Sequence, residues 1–322
     1  MIFDAPAPAV VGAWGSTGSC VAIAPNYVAT ARHVSTATDG AAVRIAGKTY
    51  YATNTVDHDS ADLRVARIVT ANNAPANLTE YASPYLGEDE LLFDNMVIGG
   101  VGKVRGESLM SEGVVYGYRW ADNTTGEVRF GVNRVDSFAP QQAMHMIRAD
   151  FDGPYDMDNL EGESIPAGGD SGGGWFAREN DQWWLIGISR SVSSSEPEAW
   201  FRDPEAVTKP DADTTLALRV SRYTEWLFQN ISLGRILEGD LNLDGTVDGA
   251  DAAILQSNYG SDQSNLLWTD GDLTADGKVT FDDAWLLLQN YGATSAPIPD
   301  VPEPTTSMLL ISAAAMLLRR RR

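Results

Sequence analysis

Ser171 sits in the run Gly168-Gly169-Asp170-Ser171-Gly172-Gly173, and far upstream His33 closes the small-residue run Ala29-Thr30-Ala31-Arg32-His33. These residue types suit a nucleophile and its base. A serine hydroxyl attacks well only when an imidazole takes its proton, and the oxyanion that forms needs backbone N–H donors, which a tight, side-chain-poor turn can present. Glycine supplies such a turn because it reaches positive φ without a Cβ penalty. An orienting carboxylate is expected between the two, and Asp62 in Ser60-Ala61-Asp62-Leu63-Arg64-Val65-Ala66 fits. Asp57, His58 and Asp59 lie close by; Asp62 is preferred because the alternating apolar run Leu63, Val65, Ile68 begins right after it.

With these residues in view, the chain resembles a chymotrypsin/trypsin-type serine protease over about residues 10–231. The segment from Asn26 to His33 resembles the strand and turn that deliver the histidine. Asp62 to Ile68 resembles the aspartate strand, Gly169 to Gly173 the serine loop, and Arg219 to Leu227 the C-terminal helix. The order His, Asp, Ser belongs to that family and differs from subtilisins and α/β-hydrolases.

The resemblance implies a double β-barrel and endopeptidase chemistry on a protein or peptide substrate. Ser171 would attack, His33 would act as base and then acid, and Asp62 would fix the imidazole tautomer. The N–H groups of Gly169 and Ser171 would form the oxyanion hole. The base of the specificity pocket falls six residues before the serine, at Ile165, with Val192 or Ser191 and Thr215 as walls. An apolar pocket preferring small or medium aliphatic side chains is the expectation. Val10-Val11-Gly12-Ala13 lies too close to His33 to serve as an inserted new N-terminus, so Asp170 either finds another partner or the enzyme needs no zymogen step. Val34 stands where the family often has a cysteine after the histidine; Cys20, the only cysteine, is then expected as a small buried hydrophobe.

A length of 322 residues favours about two domains with ample core. The many short Val/Ile/Tyr/Trp runs between turn residues, with 30 Gly and 15 Pro, make the first part read as mainly β. The formal charge of −21 argues against nucleic acid and anionic membrane surfaces as partners.

After a link at 232–238, the segment beginning Gly239-Asp240-Leu241-Asn242-Leu243-Asp244-Gly245 recurs as Gly271-Asp272-Leu273-Thr274-Ala275-Asp276-Gly277, an offset of 32 residues. Asn258-Tyr259-Gly260 likewise matches Asn290-Tyr291-Gly292. A twelve-residue loop with oxygens at alternate positions and glycine at the sixth suits Ca²⁺. The first loop offers Asp240, Asn242, Asp244, the Thr246 carbonyl, Asp248 and Asp251. The second offers Asp272, Thr274, Asp276, the Lys278 carbonyl, Thr280 and Asp283, and Thr280 makes it the looser site. Aspartate rather than glutamate at position 12, the pairing and the short helix after each loop resemble a dockerin module over about residues 239–293. That resemblance implies two structural Ca²⁺ ions and a cohesin-like partner. Ile254, Leu255, Tyr259, Leu287, Leu288 and Tyr291 are expected to form the small shared core.

A Pro-rich linker follows at 294–304, and Val301-Pro302-Glu303-Pro304 precedes an apolar stretch within 305–322 that ends in Arg319 to Arg322. This is similar to a PEP-CTERM sorting signal of bacterial envelope proteins, which implies export, a transient membrane anchor through a C-terminal apolar helix, and processing by a sorting transpeptidase at the membrane. The apolar stretch, shorter than the usual span of about 20 residues, and the basic tail agree with an anchor held on the cytoplasmic side. Met1 to Pro6 shows no secretory signal, so the true start is expected upstream of the visible one. Two other readings stand beside the protease: a catalytically silent β-barrel binding module, and an interaction protein that recruits a cohesin-type partner.

Overall fold

The computed structural model describes residues 4–294 except 35–37, 88, 125, 140–143, 155, 180–181, 194–196, 202–211, 232–238, 243–245, 262–265, 267–269 and 275–277. The chain divides into two compact units, Met1–Ser232 and Leu233–Arg322.

In the first unit, β1 (Val11–Trp14), β2 (Gly18–Ala24), β3 (Tyr27–Thr30), β4 (Ala42–Ile45), β5 (Lys48–Asp57) and β6 (Arg64–Val69) close a barrel in the order β1-β2-β3-β6-β5-β4. Side chains alternate across a strand, so Cys20 and Ala22, Val43 and Ile45, and Ala66 and Ile68 point inward together and pack with Trp14 and Val28. Cys20 is fully buried, and burial pushes its thiol up to about 12, which makes it an inert packing group. Ala46 and Gly47, both at positive φ, form the two-residue turn between β4 and β5, the twist-matched turn for a hairpin.

The second half of this unit holds an open eight-stranded sheet. Its path runs through β11 (Arg129–Asn133), β8 (Met96–Gly100), β14 (Gly174–Glu179), β15 (Gln182–Val192), β17 (Thr214–Arg219), β13 (Met146–Asp150) and β12 (Ser137–Phe138), with β7 (Ser83–Pro84) parallel on β15. A second closed barrel is not formed among the described residues. The long strands β9 (Lys103–Ser111) and β10 (Val114–Thr124) pair with each other through several register shifts and take β16 (Glu198–Trp200) as a third strand, so they do not bridge the sheet's edges. Met96, Ile98, Ile147, Trp175, Ile186 and Ala217 fill the core. The short helix α1 (Thr224–Asn230) follows, with Tyr223, Leu227 and Ile231 buried at helical spacing.

The second unit contains α2 (Gly249–Asn258) and α3 (Phe281–Asn290), each opened by a capping box: Asp248 with Asp251, and Thr280 with Asp283. Its core joins Leu241, Val247, Leu255, Leu273, Val279, Ala284 and Leu287, with Ile254, Tyr259 and Tyr291 packed against it. Leu286 rather than Leu288 joins them, because the buried stripe Asp283, Ala284, Leu287 centres the apolar face short of Leu288. The two repeats hold each other reciprocally. Val247 bonds to Ala293 and Gly292 at the end of the second repeat, while Val279 accepts from Gly260 at the end of the first. Gly239 and Gly271, both at φ 108°, let the chain lie on the helix of the opposite repeat: a Cβ there would come within 3.0 Å of Leu287 Cα and 3.1 Å of Leu255 Cα respectively. The expected linker and apolar helix beyond residue 294 lie outside the described residues; among those described, no helix is long and apolar enough to cross a membrane.

Candidate active site and calcium-binding unit

β3 and β6 run antiparallel with Thr30 opposite Arg64. The residues just past the end of β3 therefore meet those just before β6, which is how His33 and Asp62 come together from 29 positions apart. His33 lies in the 3-10 turn Arg32–Val34. Asp62 grips it twice: Oδ1 accepts the His33 main-chain N–H at 2.8 Å, and Oδ2 lies 2.6 Å from Nδ1. A proton on Nδ1 donated to this carboxylate leaves Nε2 with its lone pair, the form required of a general base. The carboxylate is 11% exposed and the imidazole 44%, so the pair is anchored inside and open outside.

Burial pushes the Asp62 carboxyl upward, but the bonds and charge of His33 and the charge of Arg190 outweigh it and hold the group below the usual carboxylate range. Arg190 Nε stands 3.5 Å from the same Oδ2. Of the other two aspartates near in sequence, Asp57 forms a two-point pair with Arg64 at 2.6 and 3.0 Å, and Asp59 is exposed.

The serine loop is fixed against the same barrel end. Ser19 donates its N–H to the Ser171 carbonyl and its hydroxyl to the Gly169 carbonyl, both at 2.8 Å. The N–H of Gly172 donates to Ser189 on β15 at 2.8 Å. Gly172, at φ 85°, faces Thr30 Oγ1, the Ser19 carbonyl and the Ala31 nitrogen so closely that a Cβ would overlap them. Ser171 is thus one residue from a contact with the end of β3, whose following turn carries His33. Among the described residues no hydrogen bond joins the Ser171 hydroxyl to the His33 ring.

Asp170 braces the loop from behind, accepting N–H bonds from Gly102 at 2.7 Å and Ala167 at 2.8 Å. Burial raises its carboxyl to about 6, opposed by those two bonds and by Arg129. The N–H groups of Asp170, Gly172 and Gly173 are spent on the fold, whereas those of Gly169 and Ser171 donate to no group among the described residues. Two unspent main-chain donors two residues apart in a glycine turn can hold an oxyanion.

Ile165 is buried with Trp120, Phe151, Ala167 and Phe201, and it lines a cavity of about 210 Å³ shared with Gly102, Arg129 and Asp170. Val192 and Thr215 pair with each other across β15 and β17 and do not line that cavity; Thr215 donates to the Ser191 carbonyl at 3.2 Å. Sequence reasoning missed Arg190 and Ser19. A lone arginine at the end of the buried run Leu185, Ile186, Ile188 is the signal for the first, because a charge in such a strand needs an opposite charge beside it. Ser19, inside an apolar strand, gave no signal of its own.

In the second unit the position-12 carboxylates are fully buried and wrapped by their own loops. Asp251 Oδ1 accepts from Leu241 at 2.7 Å and Asn242 at 3.1 Å, and Oδ2 from Asp248 at 2.8 Å. Asp283 Oδ1 accepts from Thr274 at 2.9 Å, and Oδ2 from Thr280 at 2.7 Å. Asp240 and Asp272 are buried at equivalent places. Asp248 is half-buried, and Asp244 and Asp276 lie outside the described residues. Among the described residues, no three His, Cys, Asp or Glu side chains gather as a preformed metal cluster. Four buried carboxylates in an all-oxygen donor set nevertheless fit a hard cation and little else.

Residues 238–291 match the dockerin type I domain model. This segment is a dockerin type I domain, and calcium binding goes with that class. No curated protein matches the chain.

Proposed function

We propose that the first unit is a serine endopeptidase of the chymotrypsin/trypsin type, with Ser171 as nucleophile, His33 as general base and acid, Asp62 as the orienting carboxylate, and the N–H groups of Gly169 and Ser171 as the oxyanion hole. The observation that carries this reading is the doubly bonded His33–Asp62 pair at the end of the barrel that also holds the Ser171 loop. In the reaction, Ser171 Oγ bonds to the scissile carbonyl carbon as its proton passes to His33 Nε2. Collapse of the tetrahedral intermediate breaks the C–N bond, and that proton goes to the leaving amine; water then releases the acyl group by the same relay. Ile165, which lines the cavity of about 210 Å³, would set a preference for small or medium aliphatic side chains; Val192 and Thr215, the expected walls, lie outside that cavity. Labelling by a fluorophosphonate, lost in Ser171→Ala, tests the assignment: labelling equal in both proteins would overturn it.

The second reading is a silent binding module, favoured by the missing hydrogen bond between Ser171 and His33. Such bonds are often long before substrate binds, and the same probe separates the two readings.

For the second unit, the reading is two structural Ca²⁺ ions. Asp240, Asn242, Asp244, Thr246, Asp248 and Asp251 would hold one, and Asp272, Thr274, Asp276, Lys278, Thr280 and Asp283 the other. The metal would neutralise clustered carboxylates and lock the loops on the helices. A cohesin-like domain is its proposed partner. Export, envelope sorting through residues 305–322 and cleavage by a membrane transpeptidase complete the proposal.

A further inference from the structure

His58 has no part in the proton relay, yet its ring supports the turn that presents Asp62. The His58 main-chain N–H donates to the Leu63 carbonyl at 2.9 Å, closing the turn between β5 and β6. Inside that turn, Nδ1 accepts two main-chain bonds, from Ser60 at 3.1 Å and Ala61 at 3.0 Å. Both bonds point at one lone pair, so the ring must be neutral with its proton on Nε2. The turn is also stitched to the catalytic histidine's turn: Arg32 Nη1 donates to the His58 carbonyl at 3.0 Å, and the Arg32 N–H to the Asp62 carbonyl at 3.3 Å. From behind, Tyr223 meets the ring edge-on at 5.2 Å and Trp226 meets it at a tilt at 5.1 Å.

We propose that His58 is a positioning residue for Asp62: neutral, it ties down Ser60 and Ala61 and so holds the carboxylate toward His33; protonated at Nδ1, it releases them and the carboxylate with them. The catalytic consequence rests on the protease reading, while the structural one does not. Protonation takes up one proton from solvent hydronium or buffer acid, exchanging its bond to the donor for an N–H bond at Nδ1. The groups around the ring favour the neutral form. Burial holds its pKa below the usual histidine value and Arg32 adds to this, while Asp59 opposes them. Asp57 is committed to Arg64 and Asp62 to His33, and from the helix side Tyr223, which accepts from the His145 N–H, and Trp226 face the ring, with Arg222 beside Tyr223.

The test uses the full chain with calcium. ¹⁵N NMR of the ring and of the Ser60 and Ala61 amides is followed from about pH 8 to 5, beside the pH profile of kcat/KM. His58 should show an unprotonated Nδ1 at the alkaline end, and both amides should move with its midpoint. In His58→Gln the amide oxygen still accepts but does not titrate, so activity near pH 7.5 should stay within about twofold and the acid limb should lose one proton of steepness. His58→Phe keeps the aromatic packing without the acceptor, and should lower kcat about tenfold with KM unchanged. Amides that ignore the ring's titration, or a His58→Phe profile identical to the parent, would overturn the proposal. A chain that cleaves no peptide would fail the protease reading alone, with the amide titration still deciding the His58 contact.

Discussion

Asp62 binds its histidine through both main chain and ring, so the two carboxylate oxygens have separate tasks. One fixes where the His33 turn sits, and the other fixes which nitrogen carries the proton. Asp62→Asn keeps the size but can turn a donor toward Nδ1 and favour the wrong tautomer. Under the proposed protease reading, the expected outcome is a fall in kcat/KM of about 10³–10⁴ with the melting temperature little changed, read by peptide hydrolysis and calorimetry. At this scale Ser171 and His33 stand out in the sequence as candidates because their signals are local, a glycine turn and a small-residue turn after an apolar strand. Choosing Asp62 over Asp57 needed more than spacing, since the deciding facts are the β3–β6 pairing and the capture of Asp57 by Arg64. Arg190 could not be read at all as a neighbour of Asp62, because the residues between them carry no sign of that approach.

Among the elements, glycine spacing controls how parts fit. Gly172→Ala would drive a methyl into Thr30, Ser19 and Ala31 at a backbone angle that L-residues rarely adopt. A loss of about 2–4 kcal/mol in stability is expected, together with loss of fluorophosphonate labelling; chemical denaturation measures the first. The calcium loops show why one motif can be read twice. Ligand positions 9 and 12 are three apart, which is also the capping-box spacing, so Asp248 with Asp251 and Thr280 with Asp283 start the helices as well as facing the loops. The repeat made this unit's organisation legible. The open second sheet was not, since the register shifts in β9 and β10 leave no pattern that distinguishes a hairpin closing a barrel from one that leaves it.

At the level of the whole molecule, the two units should answer differently to solution conditions. Removing calcium with a chelator takes away the cation proposed to sit by buried Asp240, Asp251, Asp272 and Asp283, so the second unit should lose its helical signal while the first keeps its own. Calorimetry should then show one transition that moves with calcium and one that does not. The first unit has its own pH dependence. Burial raises Asp152 to about 7, with Glu163, Asp156, Asp136 and Asp158 adding to it, and burial also raises Glu163 to about 6. The folded state holds these protons where the unfolded chain has released them, so its stability should fall as pH rises from about 5 to 8. Asp152→Asn should recover about 2–4 °C of melting temperature at pH 8 and nearly nothing at pH 4.5.

The placement of Cys20 inside the first barrel has a practical side. A lone thiol sealed from solvent and held protonated will ignore maleimides and disulfide reagents while the barrel stays closed. A cysteine introduced on the surface would therefore take a fluorophore selectively, and delayed modification of the native thiol would serve as a clock for barrel opening.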